Sequence, residues 1–379
     1  MTSFEKASAK AAAVTIRPIE NPRRFLELQR SFYRGDPHYV PPLAAGELWQ
    51  IHRQKNPWFA HGEAGFFVAM RGGREVGRIS AARDRLHDEF HGDRVGFFGH
   101  FEATDGDVAK ALLQHAEQWC RDHGADSFRG PVDLSTNYRC GLLIDGEPGT
   151  PVLMMPHNPK HYADWIAAND MQKAKDLLAL RATSESLDLS RVDRVVSRLR
   201  QKSRAVLRRM DLKNFGKEMQ ILWDLYHRIW ERNWGFVPMS QDEFFAQAKD
   251  LAKVARAELM HIAEIDGAPV GFAAALPDVN RAIFACNGRL FPFGWWKFLR
   301  ALKEVRMIRV ITLGVVPEHR KEGLEMLLMH AVISQGIAAG FNACEASWIL
   351  EDNHDMLGPL QALGHVPYRR YRIYSKTLR

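Results

Sequence analysis

Apolar residues recur along the chain with two spacings, every second position in some stretches and every third or fourth in others. These spacings predict strands and helices. Residues 14–19 read as a strand closed by a loop containing Pro22, and 23–33 as a helix. An extended loop at 36–42 follows. Strands at 65–70 and 76–82 flank the tight turn Arg71-Gly72-Gly73-Arg74. After a polar loop come a strand at 95–101, a helix at 107–123 and a strand at 127–132. Val108, Leu112, Leu113, Ala116 and Trp119 share one face of that helix.

The second part begins with a helix at 215–232, a turn at 233–238 and a helix at 242–254. Strands at 259–265 and 270–276 turn around Asp266-Gly267. A β-branched run at 308–316 ends at Pro317, which has no N–H for a ladder. A polar turn, 318–321, and Gly323 lead into a helix carrying Leu324, Leu327, Leu328, Ala331 and Val332 on its apolar positions. Next come a strand at 341–349, the polar turn Glu351-Asp352-Asn353, a capped helix at 354–363 stopped by Gly364, and a strand at 368–374.

Composition narrows this picture. A length of 379 residues favours two domains, and 46% apolar content is ample for packed cores. The longest apolar runs fall short of a membrane span, and 1–13 is polar, without the core of a signal peptide. A cytoplasmic protein, soluble or peripheral on the inner membrane, is expected. The four cysteines have neither zinc nor redox spacing, so buried free thiols are expected. The net charge of +7 suits an anionic partner, whether coenzyme A, a membrane face or nucleic acid.

The chemistry is concentrated at 308–328. A helix's first turn offers unpaired N–H groups and partial positive charge, on which a pyrophosphate can sit. Gly323 gives close approach there, and Arg320 and Lys321 add charge. Polar loop residues beside predicted strand ends, Ser135, Asn137, His157 and Asn158, either form a site or satisfy the loop backbone. His87-Asp88-Glu89-Phe90-His91 lacks the Glu that a zinc-protease motif needs after its first His. It reads as a solvated hairpin loop, and no metal is expected.

Two other stretches stay open. Residues 183–209 carry eight arginines and lysines, among them Arg194, Arg198 and Lys202, with an apolar stripe of Val192, Val195, Val196 and Leu199. A solvated connecting helix is preferred over a membrane-surface helix or a nucleic-acid patch, because no nucleic-acid module accompanies it. In 290–306, Phe291, Phe293, Trp295, Trp296 and Phe298 are interleaved with Lys297, Arg300, Lys303 and Arg306. Such a stretch suits a lipid headgroup layer, the wall of an acyl-chain pocket, or a core helix packed on a sheet.

The strand–turn–helix resembles the acyl-CoA signature of the GNAT acyltransferase superfamily. Val315-Val316-Pro317 matches its V-x-P strand end, and Arg320-Lys321-Glu322-Gly323-Leu324 most of its R/Q-x-x-G-x-G/A turn. Glu325 departs from the last small position. The order of elements in both parts matches this superfamily. The resemblance therefore implies an α/β (α+β) chain of tandem GNAT-like halves, each a mixed, mainly antiparallel sheet flanked by helices. They would span 1–182 and 215–379, joined by a basic linker helix at 183–214. It implies acyl-CoA as co-substrate, held by Leu313, Val315, Val316, Arg320, Lys321, Glu322, Gly323, Leu324 and Asn353. A splayed strand pair would admit the pantetheine, and a main-chain N–H near Val315 would serve the carbonyl. The tyrosine that many members place seven residues after Asn353 is Leu360 here, so Glu345, His157, Asn137 and Tyr368 are the candidates for the catalytic role. In the first half the corresponding turn, 103–107, is acidic, so that half is expected to build the acceptor side or an interface.

Gly130-Pro131, Ser135, Asn137, Gly141-Leu142-Leu143, Met154-Met155, His157-Asn158-Pro159 and Tyr162 resemble a bacterial GNAT-like family related to ceramide synthases. The stretches 173–178 and 233–238 continue the likeness. It implies a sphingoid-type amine as acceptor, with Ser135, Asn158, Tyr226, Trp234, Trp295 and Trp296 as substrate contacts and an anionic membrane surface as a further partner. A GNAT enzyme acetylating a small amine or peptide, and a non-catalytic lipid- or nucleic-acid-binding protein, are the alternatives.

Overall fold

The computed structural model describes residues 12–378, so most of the polar 1–13 segment lies outside the described residues. In chain order the elements begin β1 (Thr15–Pro18), α1 (Pro22–Phe32), α2 (Ala44–Gln50), β2 (Gly62–Arg71), β3 (Arg74–Asp84) and α3 (Arg85–His91). They continue β4 (Val95–Ala103), α4 (Gly106–Asp122), β5 (Ser127–Gly130), β6 (Leu142–Gly146), α5 (Tyr162–Ala167) and β7 (Gln172–Thr183). Next are α6 (Leu189–Lys202), β8 (Val206–Arg209), α7 (Phe215–Trp230), α8 (Gln241–Leu251), β9 (Met260–Ile265), β10 (Ala268–Pro277), α9 (Asn280–Ala285) and α10 (Gly294–Leu302). The chain closes with β11 (Met307–Val315), α11 (Leu324–Ala338), β12 (Ala343–Leu350), α12 (His354–Ala362) and β13 (Val366–Thr377). Among the described residues no helix is long and apolar enough to cross a membrane.

Two compact units result. The first runs to Asp176 and also takes Val237–Met239 and the chain from Tyr371 onward; the second takes Leu177–Phe236 and Ser240–Arg370. In the first unit, strands β1 to β5 lie side by side in sequence order, antiparallel except for the parallel β4–β5 pair. The end of β13 adds to β5 in the register Tyr374↔Gly130. Helix α4 lays Val108, Leu112, Leu113 and Ala116 on this sheet, all buried, as their spacing requires. The approach is close: a Cβ on Gly77 would sit 2.7 Å from both Val108 and Leu112.

In the second unit the strand order is β7-β12-β11-β10-β9-β8, with β11 and β12 parallel and the other pairs antiparallel. Helix α11 buries Leu324, Leu327, Leu328 and Val332 in the core of this unit. The four cysteines are free and buried.

Three local expectations are corrected. Residues 87–91 are not a hairpin loop but belong to α3. Asp84 caps it by accepting the Leu86 N–H at 3.0 Å, and Gly92 ends it at φ +66°. Seven residues are too few to show a helical repeat, which is why the pattern misses it. His87 is fully buried against the Phe97 ring. Its ligand atom lies within 4.8 Å of those of Asp88 and Asp93, but the Asp88 carboxylate already accepts from Arg83 and from the Val95 N–H. The basic stretch 183–214 is not one helix: α6 is followed by β8, which pairs with β9 as an edge strand. Pro22 is not in a loop but is the first residue of α1, where a missing N–H costs nothing, and Asn21 caps the Arg24 N–H at 3.1 Å.

The first unit's late segments are fastened by Arg372, whose Nε and Nη2 donate to the buried Asp176 carboxylate at 2.7 and 2.9 Å. Removing the guanidinium takes two hydrogen bonds from a buried carboxylate and leaves it the half-exposed Lys173, 3.3 Å away, as an ion partner. Arg372→Met is therefore expected to lower unfolding free energy by about 3 kcal/mol, read as a fall in the urea midpoint, with Arg372→Lys retaining part of it.

Candidate active site

The second unit's parallel pair is joined over only four rungs, Met307↔Ala343 to Val310↔Ala346. Beyond that both strands continue, β11 to Val315 and β12 to Leu350, each held on its outer side: β11 to β10 as far as Val315↔Gly271, β12 to β7 as far as Leu350↔Leu177. The two strands therefore part. The outer ladders slip where this happens, between Ala274 and Ala275 and between Ala346 and Ile349. Bulges of this kind bend and twist a strand locally. Along the slot between 311–315 and 347–350 the two strands are not register partners, and side chains meet part of the facing edges: Arg320 Nε donates to Val315 O and Arg309 Nη2 to Ser347 O.

A buried polar cluster closes the apex. Arg309 and Glu345 are register partners, and Arg181 is the partner of Glu345 on β7. Arg309 donates from Nε to Ser347 Oγ at 3.0 Å and from Nη2 to Ser347 O at 3.1 Å. Ser347 Oγ donates to one oxygen of Glu345 at 2.6 Å, and the Tyr368 hydroxyl donates to the other. Glu345 has no exposed surface, and Tyr368 is sandwiched by the guanidinium groups of Arg181 and Arg369 at 4.7 and 5.2 Å from its ring centre. Glu345 and Tyr368 thus come together as a hydrogen-bonded acid–phenol pair.

At the mouth of the slot, β11 runs into the turn before α11. Leu313, Val315, Val316 and Leu324 are buried and set its framework, and the Val316 N–H donates to Val270 O at 2.9 Å. Arg320 is committed to structure: Nε donates to Val315 O at 3.2 Å and Nη2 to Ile229 O at 2.7 Å, locking the strand end to α7. Lys321 is exposed at φ +76°, and Gly323 precedes the helix at φ +79°. The close neighbour that demands glycine at 323 is Leu199 of α6, 2.7 Å from where a Cβ would stand. Glu322 bonds His319 at 3.0 Å. Glu325 is half-buried in the first turn, where burial raises its carboxyl pKa while its own N–H and Arg320 pull it down. Asn353 caps α12 through the Met356 N–H at 3.2 Å, and Leu360 is buried. Tyr226 sits in an aromatic cluster with Trp230, Phe236 and Phe244, while Trp234 lies half-buried in the following turn. Burial raises the Tyr226 phenol pKa well above the usual range, with Glu243 adding to it. Trp295 and Trp296 are exposed on α10.

The remaining candidates belong to the first unit. His157 Nε2 bonds Asp36 Oδ2 at 2.8 Å, and its carbonyl accepts from Tyr33 at 2.9 Å. Burial opposes the Asp36 charge, but the hydrogen bonds from His157 and the His38 N–H bring its pKa below the usual value. Asn158 spans Leu143, accepting its N–H at 2.8 Å and donating to its carbonyl at 3.0 Å. Buried Ser135 accepts from the Asn137 N–H at 3.2 Å, and Asn137 Nδ2 donates to Val237 O at 3.0 Å. In this unit the parallel pair also parts, but the chain's own loop fills the gap. Val132 N–H donates to Phe98 O at 2.6 Å, and Asp133 accepts the His100 N–H at 2.7 Å. The helix start is capped by Asp105, itself paired with Arg71 at 2.6 Å.

The profile of the acetyltransferase (GNAT) family matches residues 219–364. Protein YghO of Escherichia coli (strain K12) is 37% identical over 364 residues, covering 94% of this chain and 93% of that one. Bacterial ceramide synthase of Caulobacter vibrioides is 33% identical over 383 residues, covering 99% of this chain and all of that one. The chain belongs to the GNAT acyltransferase family. Its fold agrees: a tandem GNAT protein from the clavulanic acid biosynthesis pathway superposes with a TM-score of 0.57 at 15% identity, covering 96% of this chain and 98% of that one. The chain is accordingly a tandem GNAT protein and an acyl-CoA-dependent N-acyltransferase.

In this GNAT chain Gly323 carries both a left-handed backbone and a close neighbour. Gly323→Ala is expected to cost at least about 1 kcal/mol in the urea midpoint without changing the slope of the transition.

Proposed function

We propose that the protein transfers a long-chain acyl group from acyl-CoA to a lipid amine of the sphingoid type. The observation that carries this reading is full-length similarity to a protein named bacterial ceramide synthase. The acyl-CoA diphosphate meets the N–H groups of 321–325 and the side chain of Lys321, and the pantetheine follows the slot between β11 and β12. Each methylene moved out of water contributes about 0.8 kcal/mol, so a long acyl chain offsets the repulsion of Glu325 at the phosphate end.

The chemistry follows from the apex cluster. The amine attacks the thioester carbonyl, and a main-chain N–H on the β11 edge near Val315 receives the developing oxyanion. The amine proton passes to the Tyr368 oxygen as the Tyr368 proton moves to Glu345. It is returned to the departing thiolate when the C–S bond breaks, leaving the amide. His157, whose Nε2 bonds Asp36 Oδ2 at 2.8 Å, is the second candidate base.

The membrane is the further partner. Phe291 and Phe293 are 87% and 77% exposed, and Trp295, Trp296 and Leu299 about half exposed. The core-helix reading of 290–306 is therefore overturned for these side chains, because they face solvent. Exposed Lys297, Arg300 and Lys303 accompany them. Aromatic tips with basic neighbours match an anionic headgroup layer.

The purified protein is expected to release free thiol from palmitoyl-CoA with a long-chain amine faster than from acetyl-CoA with a small one. The reverse preference removes the lipid reading. Glu345→Gln and Tyr368→Phe should each lower kcat by about 100-fold or more with little change in KM for acyl-CoA. If His157→Ala instead has the larger kcat effect, His157 is the base.

Replacing Trp295 and Trp296 together by Ala should weaken co-sedimentation with phosphatidylglycerol vesicles by about ten-fold while the melting temperature holds. Unchanged co-sedimentation would remove the membrane assignment.

A further inference from the structure

The first unit contains a small polar cleft that the Tyr368–Glu345 relay does not use, with His157, the second candidate base, among its lining residues. Its walls include Gln29, Tyr33, Arg78, His100, Glu102 and Arg139, and its volume is about 50 Å³. A single water needs about 10–15 Å³ by the same measure, so the cleft takes a few waters or a group the size of a carboxylate.

The charges in its wall are unevenly matched. Arg139 is fully partnered, bonding Asp133 at 2.9 Å and Glu47 at 3.3 Å. Arg78 is not. It has no exposed surface, and Nη1 donates to Phe25 O at 2.9 Å, but among the described residues Nε and Nη2 have no hydrogen-bond acceptor. The nearest acid, Glu102, stands 3.8 Å from Nη2, beyond hydrogen-bond reach. Gln29 donates to Glu102 at 3.4 Å, while among the described residues its own Oε1 has no donor. A guanidinium edge with two free N–H groups is the fork that a carboxylate fits in bidentate fashion. A buried cation without a bonded acid is costly to the fold, which a guest anion would relieve.

We propose that this cleft is a binding site for a small carboxylate, held bidentate by Nε and Nη2 of Arg78. Glu102 then acts as the proton-carrying neighbour. Burial raises its carboxyl to about 7, against the pull of Arg78, the Tyr33 and Tyr162 hydroxyls and Arg139. Tyr162 donates to it at 3.2 Å. Burial pushes His100, on the same strand, down to about 4, so it stays neutral at pH 6–8. Burial opposes the Asp133 charge, but His100 and Arg139 hold its pKa below the usual value, so it remains ionised. The guest carboxylate binds beside protonated Glu102, which donates to it, and repels the ionised form. Binding therefore takes up a proton, and affinity falls as pH rises through about 7.

The test is titration calorimetry of the full-length protein with sodium propionate and with an acetylated dipeptide bearing a free carboxyl terminus, with inorganic phosphate as contrast. Propionate, the dipeptide or both should bind, distinguishing a free acid from a chain end. Affinity should be about ten-fold tighter near pH 6 than near pH 8, following the competent fraction, with proton uptake in buffers of different ionisation enthalpy. Glu102→Gln should keep binding and lose the pH dependence. Arg78→Gln should abolish binding, a result counted only where its melting curve matches the parent's. No heat with either carboxylate, binding of phosphate alone, or an unchanged pH dependence in Glu102→Gln overturns the proposal, whether or not Arg78→Gln folds.

Discussion

The parting of two parallel strands is the constraint on which the second unit depends. β11 and β12 share only four rungs, yet each keeps its outer ladder to the end. Main-chain polar groups are not left unpaired in a dry interior, and two carbonyls of the parted strands are met by Arg320 and Arg309. The Arg309–Ser347–Glu345–Tyr368 cluster fixes where the slot begins. It places the Glu345–Tyr368 acid–phenol pair at the point where the sheet stops being continuous. The proposed function draws both binding and chemistry from this one feature of strand pairing.

The first unit shows what happens when the same order of elements closes that feature. Its parallel pair, β4 with β5, also stops early, but Val132 and Asp133 occupy the space and pair with Phe98 and His100. Its helix start is capped by a carboxylate tied to Arg71. The Asp105 carboxylate occupies the place at that helix start where an anion would sit. What this unit retains is a buried charge network around Arg78 and Glu102, and a separate, largely apolar cleft of about 900 Å³ beside Phe66, Phe67 and Trp119. The two units share an architecture and differ in what fills it.

Much of this was legible in the residues, for physical reasons. Pro317 has no N–H to continue a ladder, and Gly323 stands before five apolar positions at helical spacing, so the 308–328 unit was readable. The likeness to GNAT signatures rested on those same positions. The short helix α3 and the edge strand β8 were not readable, because seven and four residues carry too little periodicity to separate helix, strand and loop. Arg320 and Gly323 were visible as a pair, but their partners, the carbonyls of Val315 and Ile229 and the side chain of Leu199, lie elsewhere in the chain.

The amino-acid sequence by itself determined the longer strands and helices of both parts, the family and the position of the turn before α11. These are local properties: spacing of apolar residues, prolines that cannot donate, glycines that accept a positive φ. Only the tertiary structure decided that Glu345 and Tyr368 share a hydrogen bond, that Arg78 is left with two unmatched donors, and that the aromatics at 291–296 face solvent. Each of those depends on which distant strand or helix lies alongside. A side chain's type announces that it can donate, accept or bury, but the packing of the whole chain selects its partner.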